Sequence, residues 1–468
     1  MDLANVGRQT QNDLDTEAVI LKGEAPKDFE RQLAEDLVRH GTPLAPHNHS
    51  LFPNEILGHI FVLLAFDYGT VKFPIPKNDV PPQLVVSHVC SHWRRVALCT
   101  AELWSDTHLI YPSNDHLIDL HQQWLFRSRT LPVILSIVLC GSDKSVSALQ
   151  SILPRIQVKR LSLCLNYEGF MALATLPEAT ISGLSELELD ISFPDAVNVN
   201  VNMNNPHPLV TRLRSVTFRF DARPKPKAYI DSLPPNLPWS QLRSLTFDTY
   251  IDDLDLIFGI LRQTPMLEAL NLAIPHCTVL EQLTMSSLRN LTVELDPPVL
   301  YHPEFDHFLR SFVCPSLTKF SLSAYDGWTA AFKILKRQYN IHELREVAFK
   351  GYFALPVSSF LRDAPMLNSL LLRWNDIMDD DAIIGISNGS LGRFLKSLEI
   401  HITSDVGKVV GMVEARKKTV DELIQNGCSW RDEITVLKDV VIRTPKDTKE
   451  YEERVIALKA ASITITFL

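Results

Sequence analysis

LRQTPMLEALNLAI, residues 261–274, and LRDAPMLNSLLLRW, residues 361–374, are near copies of one another. Each opens on the end of an apolar helical pattern, as in DLDLIFGILRQTPM and SSFLRDAPM, and halts at a proline. Proline lacks the N–H that a helix interior needs, so it closes the helix. Apolar residues then recur at alternate positions, the mark of a strand with one buried face. Working outward, the same phrase, Leu-x-x-φ-x-φ with φ apolar, recurs ten times between residues 158 and 402. Its fourth positions are Leu161, Leu187, Val216, Leu245, Leu270, Leu291, Phe320, Val347, Leu370 and Leu398, spaced 21 to 29 residues apart. One strand and one helix per copy cannot bury both of their faces alone. Stacked side by side they can, with strands forming a parallel sheet inside and helices outside. The expected fold class is therefore α/β.

The flanks differ. Residues 1–49 are polar and read as a mobile leader with one amphipathic helix, in which Phe29, Leu33 and Leu37 have helical spacing. Residues 111–157 read as a linker or N-terminal cap of the repeats. Residues 403–468 should hold a helix, VGKVVGMVEARKKTVDELIQ, a charged insertion and a last strand in SITITFL. NVNVNMNNPHP and DARPKPKAY read as surface loops.

Composition narrows the function. A net charge of −9 argues against nucleic acid as the main partner, since phosphate binding needs a concentrated basic face. Seven scattered cysteines without a C-x-x-C pair fit a reducing compartment, cytoplasmic or nuclear, and no zinc ribbon. The N-terminus has no apolar secretory segment and ILGHIFVLLAF is too short to span a bilayer, so no membrane partner is expected. The sequons at Asn48, Asn290 and Asn388 then read as chance matches.

Several motifs imitate chemistry. GISNG (385–389) fits G-x-S-x-G and would make Ser387 a hydrolase nucleophile, but only His401 follows it and no Asp lies between them. Asp376, Asp379, Asp380 and Asp381 lack the alternate spacing of a calcium loop and read as a solvated loop. His47 and His49 lie in a linker with no further ligand close by. His88, Cys90 and His92 fall in QLVVSHVCSHWRRVALC, expected to form one helix from Gln83. On such a helix the two histidines are about 40° apart and Cys90 is on the opposite side, so the three cannot meet at one ion. Leu84, Val85, Val89, Cys90, Trp93, Val96 and Ala97 form the apolar stripe instead, with Cys90 as a core residue. No cofactor or metal is expected, and no catalytic residue.

The region from 50 to 110 carries a resemblance. LFPNEILGHIFVLL has Pro53 and Glu55 suited to a helix start, then Ile56, Ile60, Phe61 and Leu64 on one face. A proline-rich stretch, FDYGTVKFPIPKNDVPP, reads as a loop and is followed by VCSHWRRVALCTAELW. Together these resemble the F-box, a small all-helical module, with departures at Phe52, Ser91 and the long loop. An F-box before a curved solenoid of divergent leucine-rich repeats is similar to fungal-type substrate receptors of SCF-type cullin ubiquitin ligases. The resemblance implies docking on the Skp adaptor, and through it the cullin, by Phe52, Pro53, Ile56, Ile60, Phe61, Val89 and Trp93, as contact or supporting residues. It also implies an unidentified protein target bound on the repeat surface and marked for ubiquitin-dependent degradation. Strand residues between the apolar ones would face that target, Thr217, Arg219, Thr246 and Asp248 among them, with Asn271, Thr292 and Glu294 at similar positions. A scaffold that binds the adaptor without delivering ubiquitin is the alternative, and a hydrolase using Ser387 a further one.

Overall fold

The structure is a computed structural model. It describes residues 52–468 except 76–78, 111–114, 140–150, 167–182, 193–211, 221–236, 249–253, 275–280, 296–302, 324–338, 352–355, 374–377, 403–405, 427–433 and 445–447, within which a few single residues are placed. The expected leader helix, His47, His49 and the two surface loops lie outside the described residues. The chain divides into two units, residues 1–59 and 60–468, with the boundary inside helix α1 (Asn54–Tyr68).

The second unit is built on one 15-stranded sheet. Its strands are β1 (Val71–Phe73), β2 (Asp106–Ile110), β3 (Val133–Val138), β4 (Val158–Asn166), β5 (Glu186–Ser192), β6 (Ser215–Phe220), β7 (Ser244–Phe247), β8 (Ala269–Ile274), β10 (Asn290–Leu295), β12 (Lys319–Ser323), β13 (Glu346–Lys350), β14 (Ser369–Arg373), β15 (Ser397–His401), β16 (Asp439–Arg443) and β17 (Thr464–Phe467). They lie side by side in chain order, and every pairing is parallel. The short strands β9 (Leu283–Thr284) and β11 (Phe312–Val313) pair separately.

Register explains the repeated phrase. All ten fourth-position residues share one cross-strand row, from Leu161 through Leu187 and onward to Leu398. The sixth positions form a second row, which includes Phe218, Phe247, Leu272 and Phe349. The first positions, such as Leu242, Leu267, Leu288 and Leu317, are buried as well. Each copy thus supplies three apolar groups to a common core, and truncating one to Ala costs roughly 2–5 kcal/mol. Side chains between them point to the other face, which is polar and partly exposed.

Helices fill the connections: α2 (Pro82–Val89), α3 (Ser91–Cys99), α4 (Asp115–Phe126), α5 (Leu254–Leu261), α6 (Pro303–Ser311), α7 (Val357–Asp363), α8 (Asp380–Ser387), α9 (Val406–Gln425) and α10 (Glu452–Ala460). The proline phrases close α5 and α7 in the same way. Leu267 N donates to Thr264 O, matched by Leu367 N to Ala364 O. Helix α9 falls where the sequence put it. Its Arg416 is fully buried, with its guanidinium donating to the carbonyls of Thr435, Ile386, Leu391, Gly392 and Arg393. Burial draws that group down to about 10, which leaves it cationic at neutral pH.

Three expectations need correction. Residues 50–110 are not all helical, since β1 and β2 both join the sheet. The stretch FDYGTVKFPIPKNDVPP therefore contains a strand where a loop was expected, with Val71 and Phe73 buried. Gly69 ends α1 at φ +84, its N–H reaching Ala65 O, which frees the chain to turn into that strand. Third, the sheet does not begin at 158. β1, β2 and β3 extend the same two rows through Val71, Thr107 and Leu135, and through Phe73, Leu109 and Ile137. Thr107 is the polar member of the buried row, and its hydroxyl lies 2.9 Å from His121 Nε2. Burial, and to a lesser degree His108, pushes that imidazole down to about 3, so it stays neutral.

Candidate functional site

Two surfaces carry the residues that sequence reasoning singled out. The first belongs to the N-terminal helices. Within the second unit, Phe61 and Ala65 of α1 are buried, and Phe61 packs on Trp93 with ring centroids 5.0 Å apart. Ile60, Leu63 and Leu64 lie on a different side of α1 and are 38 %, 54 % and 49 % exposed. A surface helix normally keeps its apolar stripe covered and its other side polar. Here the apolar surface is wider than its own core can cover. Helix α2 repeats the pattern one turn apart, with Val85 and Val89 each 51 % exposed, and Leu98 of α3 is exposed too. In the first unit, Phe52, Pro53 and Ile56 are also exposed.

The expected single helix from Gln83 to Cys99 is broken. Cys90 is extended, φ −159 and ψ 169, and separates α2 from α3. Its sulfur caps α3 by accepting from Trp93 N at 3.4 Å, while Arg94 Nε donates to Ser87 O at 2.9 Å across the corner. Cys90 is thus a half-buried cap and not the core residue that the continuous stripe implied. The break also replaces the helical-angle reasoning about His88, Cys90 and His92. Among the described residues, no group of three His, Cys, Asp or Glu is arranged to hold a metal ion. Of the predicted set, Phe61 is buried and Trp93 half-buried, while Ile60 and Val89 are open to solvent. Trp104 closes the region from inside. It is fully buried, donates Nε1–H to Ala97 O at 3.0 Å and stacks edgewise on Trp124.

The second surface is the polar face of the sheet. Thr217 and Thr246 stand opposite each other on β6 and β7. Arg219 and Asp248 are brought together, Nε to Oδ2 at 2.6 Å, and Arg219 also pairs through Nη1 with Glu188 of β5. Asp190 sits beside Arg219 in register. A second centre, not foreseen from the sequence, lies on β14–β16. Glu399 Oε1 accepts from Arg373 Nε at 3.1 Å and from Arg443 Nε at 2.8 Å. Burial alone would raise the Glu399 carboxyl, but the hydrogen bonds from Arg443 and Arg373 outweigh it and hold it below the usual range. Its signal was present in the residues between apolar ones, LKSLEIHI and LNSLLLRW, but which charges would meet depends on register.

The other motifs resolve into structure. Ser387 is the last residue of α8, with its hydroxyl donating to Ile383 O at 2.7 Å. A nucleophile elbow turns from strand into helix, whereas GISNG is a helix ending, with Gly389 at φ +75. The aspartate run is more than a solvated loop. Asp379 caps α8, its Oδ1 accepting from Ala382 N at 2.9 Å and its Oδ2 from Ser358 N of α7 at 3.0 Å. Those bonds hold its carboxyl low against the opposing effect of burial. Among the described residues, no helix is long and apolar enough to cross a membrane.

Compared with models of known protein families the sequence matches none, and it matches none of the curated proteins.

Proposed function

We propose that the chain is a non-catalytic receptor subunit of an SCF-type cullin ubiquitin ligase. Its N-terminal helices act as an F-box and dock on the Skp adaptor. Its repeats form a leucine-rich-repeat solenoid whose polar face holds a protein target. Ubiquitin transfer then follows from proximity, because binding raises the target's effective concentration at the conjugating enzyme.

One observation carries this reading. Eight of the eighteen large apolar side chains exposed among the described residues fall between Ile60 and Leu98, at the start of the second unit. Apolar surface so concentrated marks a protein-binding face, and helical anchors at i, i+3 and i+4, as in Ile60, Leu63 and Leu64, suit a partner helix.

The test is co-purification of the Skp adaptor with the full chain. Ile60→Asp combined with Leu64→Asp should abolish it. Both side chains face solvent, so the melting temperature should stay within a few degrees of the parent. Undiminished adaptor recovery with the double variant would overturn the docking assignment. Target ubiquitination in a reconstituted complex separates a receptor from a scaffold that delivers no ubiquitin.

A further inference from the structure

Along β13, β14, β15 and β16 one row of the polar face reads Lys350, Arg373, His401, Arg443. Neighbouring strands are about 4.8 Å apart, so the row runs roughly 14 Å. Glu399, two residues before His401, is the acid within the row's reach among the described residues, and both guanidiniums share one of its oxygens. The shared oxygen places the two Nε atoms within about 6 Å of each other. Each arginine uses Nε for that contact. Their terminal nitrogens make no hydrogen bond among the described residues. Lys350 has no ion-pair partner among the described residues, and the next acid along the row, Glu294, stands two strands beyond it.

Glu399 therefore fixes two arginines without consuming their outer donors. The paired terminal N–H groups of a guanidinium match the oxygens of a carboxylate or a phosphoryl group. Both side chains are about two-thirds withdrawn from water, 37 % and 36 % exposed. That strengthens their attraction for an anion. Because their geometry is already set, less side-chain freedom is lost on binding.

We propose that this row is an oxyanion-binding site for a peptide segment of a bound protein, with a phosphoryl or carboxylate group seated between Arg373 and Arg443. The site rests on reading the polar face as the target-binding surface and is independent of adaptor docking.

The test uses the full chain and a degenerate peptide library in three versions, with serine, phosphoserine or glutamate at the fixed central position. Retained peptides are identified by mass spectrometry, and their affinities measured by fluorescence anisotropy. The phosphoserine or glutamate version should be retained over the serine version, and its binding should weaken as salt rises. Preference between those two identifies the source of the oxyanion. Arg373→Ala with Arg443→Ala should weaken the retained peptide by at least about tenfold. Arg373→Lys with Arg443→Lys keeps the charge but loses the fork, and should weaken it less; this pair covers the case in which the alanine variant fails to fold. Equal retention of all three versions, or unchanged affinity in both double variants, overturns the proposal. Adaptor co-purification, measured in parallel, should be unaffected by these substitutions. If adaptor binding fails in the parent chain while the peptide is held, the receptor reading falls and this site stands.

Discussion

Among the described residues the polar face carries, besides simple pairs such as Lys319–Glu346, two ion-pair centres built in opposite senses. At β5–β7 Arg219 lies between two anions, Glu188 and Asp248, with Arg160 of β4 3.7 Å from the other oxygen of Glu188. At β14–β16 one anion, Glu399, lies between two cations, Arg373 and Arg443. Arg219 commits Nε and Nη1 to its acids, so what the first centre leaves over is negative charge and carboxylate lone pairs. The second leaves positive charge and N–H donors. Beneath both lie the same two apolar rows in the same register. The difference is therefore confined to one layer of side chains, and surface chemistry can vary along the sheet while its core repeats.

The strongest way to break this comparison is to show that the two cores are unequal. Phe218 lies under the first centre, fully buried and stacked on Phe247 with centroids 5.5 Å apart; Leu372 lies under the second. Phe218→Ala should cost about 3–5 kcal/mol and Leu372→Ala about 2–5 kcal/mol in chemical denaturation. A loss below about 1 kcal/mol at either position would mean that the rows do not form one core. A smaller effect is expected from Arg219→Glu, which sets a new carboxylate among Glu188, Asp190 and Asp248. These groups are partly exposed, so the cost should be about 1 kcal/mol and should shrink as salt is added. A loss that is independent of salt would mean the centre is not held by charge.

The smallest effect sharpens the comparison through pH. Glu399 is held below its unfolded value, so folding favours its ionised form. Its stabilising contribution is present above the ordinary carboxylate range and disappears as pH falls through the folded value. Glu399→Gln should therefore flatten the acid limb of the stability curve and leave its alkaline side alone. Parallel acid limbs in the two proteins would show that the arginines do not hold that carboxylate.

Sequence alone shows much of this layout, because the apolar rows repeat. All ten Leu-x-x-φ-x-φ copies are strands, and α9 spans Val406–Gln425 as read. The phrase also occurs in LKDVVI at 437–442, beyond the ten copies read from the sequence, and there it forms β16. The earlier strands were harder to see. β2 puts Thr107 where an aliphatic residue belongs, and its long-range partner His121 appears only in three dimensions. Cys90 gave no sign of capping α3, since sulfur is a poor substitute for the usual oxygen caps. Charged residues between the apolar ones could be named as surface positions. Their pairing into centres of opposite sense could not, because it depends on residues 26 to 44 positions apart in sequence meeting in register.

Strict chain order also gives the sheet a measure of length. Arg219 on β6 and Glu399 on β15 are seven strand spacings apart, on the order of 34 Å along the sheet. That is about the span of ten residues of extended peptide. A repeat gained or lost between them would move one centre by a single spacing and leave both intact. The sheet works as a ruler whose graduations are strands, and a gene could lengthen or shorten it one copy at a time.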